Sequence, residues 1–136
     1  MVSRIIPVEP FDLVIFGGTG DLARRKILPG LFRRFCAGQM PDRAQIIGAA
    51  RGELDDARYR TLIAEAIIEF AKPSAEDHAQ IEGFLKHLAF VSIDAKGTRG
   101  WEALESLLRD DVVRAFYFSV APALFSGLAE QLHSYG

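Results

Sequence analysis

The chain has 136 residues, 49% of them apolar and 25% charged. That balance fits one folded globular domain and excludes a disordered segment, while a formal net charge of −2 excludes the strongly basic balance of a nucleic-acid binder. The lone cysteine, Cys36, leaves no internal disulfide, Met1–Pro10 lacks the apolar stretch of a secretion signal, and no apolar run approaches the roughly 18 residues of a membrane span. These features lead to the expectation of a cytoplasmic protein with no membrane or nucleic-acid partner.

In chain order, residues 1–10 read as an extension and 11–136 as the domain. Phe11–Phe16 (Phe-Asp-Leu-Val-Ile-Phe) is short, apolar and stopped by glycines, which predicts a buried strand. Gly20–Ala37 reads as helical with Pro29 inside it, so a short first helix, a kink near Pro29 and a second piece through Phe35 are expected. Ala44–Ala49 is the second strand. Asp55–Ala71 is a helix with Leu62, Ile63, Ala66, Ile67 and Phe70 at helical spacing. Ser74, with Asp77 three residues on, predicts the capped start of a helix running to about Lys86. Leu88–Ile93 is the third strand and Thr98–Leu108 a helix with Trp101, Leu104 and Leu108 on one face. Asp111–Val120 contains the fourth strand, and Ala123–Tyr135 reads as a final helix. Strands alternating with helices predict an α/β, doubly wound, mostly parallel sheet with helices on both faces. Ligands of such folds sit beyond the carboxyl ends of the strands.

The turn after the first strand is the most informative segment. Gly18, Gly20 and Ala23 satisfy Gly-x-Gly-x-x-Ala between a strand and a helix, the dinucleotide-binding (Rossmann-type) fingerprint. Gly17 and Gly18 allow a tight exit from the strand, Gly20 lets backbone amides approach a diphosphate, and Ala23 lets the helix pack close. The amides of Gly17, Gly18, Thr19, Gly20, Asp21, Leu22 and Ala23 are the candidate phosphate cradle. A P-loop would need Gly-Lys-Ser/Thr here, and Asp21-Leu22 stands instead. The second strand ends Gly48-Ala49-Ala50-Arg51, with no carboxylate at its tip to hold a ribose 2′-hydroxyl and an arginine suited to a 2′-phosphate. Thr19 can add a hydrogen bond, and Glu53 stands two residues from Arg51. NADP is the expected cofactor, with NAD possible but weaker.

The run Gly17-Gly-Thr-Gly-Asp-Leu-Ala-Arg-Arg-Lys-Ile-Leu-Pro29 resembles the N-terminal signature of glucose-6-phosphate dehydrogenases. Gly48–Arg51 and Phe116–Pro122 (Phe-Tyr-Phe-Ser-Val-Ala-Pro) are similar to that family's second- and fourth-strand segments. The resemblance runs from about Phe11 to the end of the chain. It implies that Arg51 meets the 2′-phosphate and that Lys26 reaches toward the sugar phosphate. It also implies that Ser119, Val120, Ala121 and Pro122 border the nicotinamide ribose. The parent activity it implies is oxidation of glucose 6-phosphate at C1 to the lactone with hydride transfer to NADP, in the pentose phosphate pathway.

The family's Arg-Ile-Asp-His-Tyr type motif, with its catalytic histidine, is absent, as is the Glu-Lys-Pro-Phe-Gly segment. His78, His87 and His133 lie in other contexts, in or beside helices. The chain is therefore expected to be an N-terminal piece, incomplete at its C-terminal side and catalytically incompetent alone. An exposed sheet edge makes homo-oligomers a reasonable expectation. Two other readings stand beside this one. A short-chain sugar reductase or epimerase would need Tyr-x-x-x-Lys, and Tyr59, Tyr117 and Tyr135 lack that lysine. A non-catalytic nucleotide-binding module is the other.

Overall fold

In the computed structural model, residues 10–52, 54–93, 100–109 and 111–118 are described. Four strands form one sheet: β1 (Phe11–Phe16), β2 (Gln45–Ala50), β3 (Leu88–Ser92) and β4 (Val113–Phe118). The spatial order is β3-β2-β1-β4 and every pairing is parallel. Strand order thus reverses about β1, whose exit carries the glycine turn.

Alternation along each strand divides the core between two faces. On one face Ile15, Ile46, Leu88 and Phe90 pack against α1 (Leu28–Cys36), α2 (Asp56–Ala66) and α4 (Ile81–Leu85). There Phe32 meets Phe84 edge-on, ring centroids 5.6 Å apart. On the other face Val14, Phe16, Ile47, Ala49 and Val91 pack against Trp101 and Leu104 of α5 (Trp101–Leu107). Helices cover both faces of the sheet, as the alternating pattern implies.

Two helical expectations change. The helix after the glycine turn does not break near Pro29. It runs without interruption from Asp21 to Cys36, and the proline is accommodated by a wide π turn over Ala23–Ile27. There the Leu28 amide donates to Ala23 O, five residues back. Pro29 follows that wide turn directly, so the π geometry takes up the missing amide and the ring without ending the helix. The helix read from Ser74 to Lys86 is two short ones, α3 (Ala75–His78) and α4, separated by a turn at 79–80. Ser74 does cap α3, accepting from the Asp77 amide at 3.1 Å. The helix from Asp56 extends as expected to Ala71, its last turn widened to π geometry over Ile67–Ala71. The segment Ala123–Tyr135 lies outside the described residues.

At the amino-terminal end of β1, Asp12 is fully buried. It accepts from the Arg109 amide (2.7 Å), Arg109 Nη2 (2.7 Å) and Gln45 Nε2 (3.0 Å). A buried carboxylate of this kind is tolerated because it is paired and hydrogen-bonded. It ties the loop after α5 to the start of the sheet.

Candidate functional site

The exit from β1 is built by three close approaches. Gly17 adopts φ +82°, a left-handed conformation that favours glycine. The amides of Gly17 and Gly18 both donate to Ala49 O at the end of β2, at 2.8 and 3.3 Å. A Cβ on Gly18 would stand 2.7 Å from the Gly48 Cα, so the turn lies directly against the neighbouring strand. Gly48 in turn leaves room for the Tyr59 ring, which a Cβ there would strike. Tyr59 is fully buried, and its hydroxyl donates to Gly18 O at 3.0 Å. Burial pushes the phenol pKa up from its ordinary value, so the hydroxyl keeps its proton.

The Gly20 amide donates to Gly17 O (2.9 Å), closing the turn, and the first helical bond runs from the Arg24 amide to Gly20 O (3.1 Å). The amides of Asp21, Leu22 and Ala23 therefore precede the hydrogen-bond ladder of a long helix. They carry the positive end of its dipole. Of the segment Gly17–Ala23, the Gly17 and Gly18 amides face the sheet and the Gly20 amide closes the turn. Thr19, Asp21 and Leu22 thus supply the amides open to a ligand. Ala23 is fully buried, the close helix–strand contact expected of it, while Leu22 is exposed. The Asp21 carboxylate accepts from Arg25 Nε at 2.7 Å on the surface, and Arg25 also lies over the Phe70 ring, 5.0 Å from its centroid. Lys26 is exposed on the π turn.

Arg51 follows the last residue of β2 and is exposed. Register places Phe16 opposite Ala49, so Arg51 and the glycine turn emerge at the same, carboxyl end of the strands. Among the described residues its guanidinium has no hydrogen-bond or ion-pair partner, and no carboxylate stands at the tip of β2. This donor set fits a phosphorylated dinucleotide: open amides at a helix start for a diphosphate, and a free guanidinium one strand away for a further phosphate. Glu53, His133 and the segment Ser119–Pro122 lie outside the described residues. β4 ends level with β1, Phe118 opposite Phe16.

The opposite end of the sheet is different. A cavity of about 520 Å³ there is lined by Arg43, Arg60, His87 and Arg109 among others. Several of its polar groups are committed internally. His87 Nδ1 donates to the Ala44 carbonyl at 2.7 Å, Arg60 to Leu88 O and Arg109 to Asp12. His87 is thus a structural histidine, far along the strands from the glycine turn. His78 is the last residue of α3. Among the described residues no helix is long and apolar enough to cross a membrane, and no group of three metal-ligating side chains occurs.

The sequence alone does not declare the support given by Tyr59 and Gly48, although Tyr59 stands four residues before Ile63, on the same helical face. The fold and this turn together define a dinucleotide-binding domain at the switch point of a doubly wound sheet.

Comparison with known proteins narrows the class. The family model described as glucose-6-phosphate dehydrogenase, NAD binding domain, matches residues 14–136, and the chain belongs to that family. It is 46% identical to a glucose-6-phosphate 1-dehydrogenase of Rhizobium meliloti (strain 1021), over 99% of this chain and 28% of that protein. Identity to the enzyme of that name from Leuconostoc mesenteroides is 34%, over 100% of this chain and 28% of the relative. A solved glucose-6-phosphate 1-dehydrogenase from Mycobacterium avium gives a TM-score of 0.83 at 26% identity, covering 93% of this chain and 27% of that one. The chain thus spans under a third of the length of these relatives. All of them are dehydrogenases, so the reductase or epimerase reading finds no support.

Proposed function

We propose that this chain is the NADP-binding part of an enzyme that oxidises glucose 6-phosphate at C1 to the lactone and passes the hydride to NADP. The observation that carries the reading is the pairing of open amides after β1 with a free Arg51 at the tip of β2. In this proposal Thr19, Asp21 and Leu22 present amides to the diphosphate, held in place by Gly17, Gly18 and Gly20, while the buried Ala23 lets the helix pack close beneath them. Arg51 takes the 2′-phosphate, Lys26 reaches the sugar phosphate, and Ser119, Val120, Ala121 and Pro122 border the nicotinamide ribose. The domain is assigned to 11–136, with 1–10 an extension. The nicotinamide ring, when bound, supplies the hydride acceptor; this chain's residues bind and orient it. Among the described residues neither His78 nor His87 stands at the glycine turn to remove the sugar's proton, so binding without turnover is expected of the chain alone. A cytoplasmic setting suits its single thiol, and self-association through exposed sheet surface is the proposed quaternary behaviour.

Titration calorimetry of wild type and Arg51→Ala with NADP and NAD tests the reading. Loss of one guanidinium–phosphate contact is expected to weaken NADP about tenfold or more and leave NAD nearly unchanged. An unaltered preference between the two cofactors removes Arg51 from the site. NADPH formation from glucose 6-phosphate by the chain alone overturns the claim that it lacks the base.

A further inference from the structure

The hydrogen bond from Tyr59 to Gly18 O does more than fill space. Among the described residues no peptide bond is cis, and in a trans peptide the carbonyl and the following N–H point in opposite directions. The carbonyl of the Gly18–Thr19 peptide points into the core, where the Tyr59 hydroxyl meets it at 3.0 Å. The Thr19 N–H therefore points away from the core. The carbonyl cannot rotate outward without leaving a buried phenol unpaired, a costly arrangement. The ring itself is held: Gly48 makes room for it, and Phe90 packs beside it at 5.3 Å between centroids. The Gly18 and Gly48 backbones and the Tyr59 side chain thus interlock, and the outward face of that interlock is one amide hydrogen.

We propose that Tyr59 is a positioning residue for the cofactor, fixing the Gly18–Thr19 peptide so that the Thr19 amide is presented to the diphosphate. The proposal rests on the NADP-binding reading and deepens it. Tyr59 contacts no ligand and acts only through Gly18. Its function is preorganisation: the amide is aimed before the ligand arrives, so no ordering of the turn accompanies binding.

Tyr59→Phe keeps the ring and removes the hydroxyl. The variant should be titrated with NADP and with adenosine 2′-monophosphate, which carries the 2′-phosphate and no diphosphate. NADP affinity is expected to fall about three- to tenfold, the net worth of one hydrogen bond, while the monophosphate affinity changes by less than about twofold. A merely structural role would leave NADP affinity unchanged or weaken both ligands alike, and either result overturns the proposal. A measurement on wild type guards against a poorly folded variant. The Thr19 amide resonance should shift on adding NADP and stay in place on adding the monophosphate. A Thr19 amide indifferent to NADP overturns the proposal. Wild type that binds no NADP at all sinks both the cofactor reading and this one, whereas normal wild-type binding with an unaffected Tyr59→Phe sinks this one alone.

Discussion

Gly48 stands where any side chain would collide with the Tyr59 ring. Gly48→Ala is therefore an overpacking change in a filled region, since Tyr59 and Ile47 beside it are fully buried. It should lower stability by about 1–3 kcal/mol and displace the ring from Gly18, so cofactor affinity should fall with it. Urea denaturation measures the first effect and calorimetry the second. A variant as stable as wild type would mean that the ring has another place to go. Arg51, by contrast, is exposed and unpartnered among the described residues, so its removal should touch binding and leave stability alone. Other charged side chains are committed to structure. Arg43 donates to the exposed Asp111 at 2.9 Å, and that hydrogen bond holds the Asp111 carboxyl below its ordinary pKa. A lowered folded pKa means the contribution is present at neutral pH and fades as pH falls through the carboxylate range; full exposure keeps it small.

Elements differ in how plainly the sequence declares them. The β1 and β2 strands are apolar runs bounded by turn residues, and their limits are read to within a residue of those observed. The Ser74 cap is equally plain, because a side chain that accepts an amide three residues on is a local device. The π turns are not legible. Adding one residue to a turn barely alters apolar spacing, and Arg24–Lys26 offer no apolar marker of register. The interruption between α3 and α4 is hidden for a similar reason, since Ala79 and Gln80 are good helix formers. Asp12 and Arg109 are 97 positions apart, and nothing local joins them. In the candidate site, the glycines and Arg51 are legible because motif and spacing sit in one turn and one strand tip. Tyr59 is not, because its task appears only when α2 is laid on the sheet. The same helix seals an edge. Asp56 accepts from the Phe90 amide at 2.8 Å, and Arg60 Nη2 donates to Leu88 O at 2.9 Å. Those are outward-facing groups of β3, and covering them blocks addition of another strand. On β4, Val113, Phe116 and Tyr117 are exposed. If the chain self-associates, this is the surface expected to do it. Tyr117→Lys should then shift light scattering toward monomer with little change in stability, and wild type that stays monomeric at high concentration overturns the association.

At the scale of the molecule, the two packed faces meet at the strand ends where the site lies. The α1–α2 face places Tyr59 beneath the glycine turn, and the α5 face supports Phe16, the last residue of β1, against Trp101 at 5.6 Å between ring centroids. A ligand held by the β1 turn and the β2 tip therefore bears on the two central strands of the sheet. It binds only when those strands are paired and both faces are closed. Binding to the folded state alone raises its stability by mass action, about 2.7 kcal/mol at a hundred times Kd. For a chain of this size that corresponds to a rise in Tm on the order of 10 °C. NADP should give such a rise in a thermal-shift titration, and NAD at equal concentration a smaller one. The gap between the two curves should close in Arg51→Ala, because in the proposed site Arg51 is the group that tells the cofactors apart. Equal shifts for NADP and NAD in wild type would place cofactor discrimination somewhere other than the end of β2.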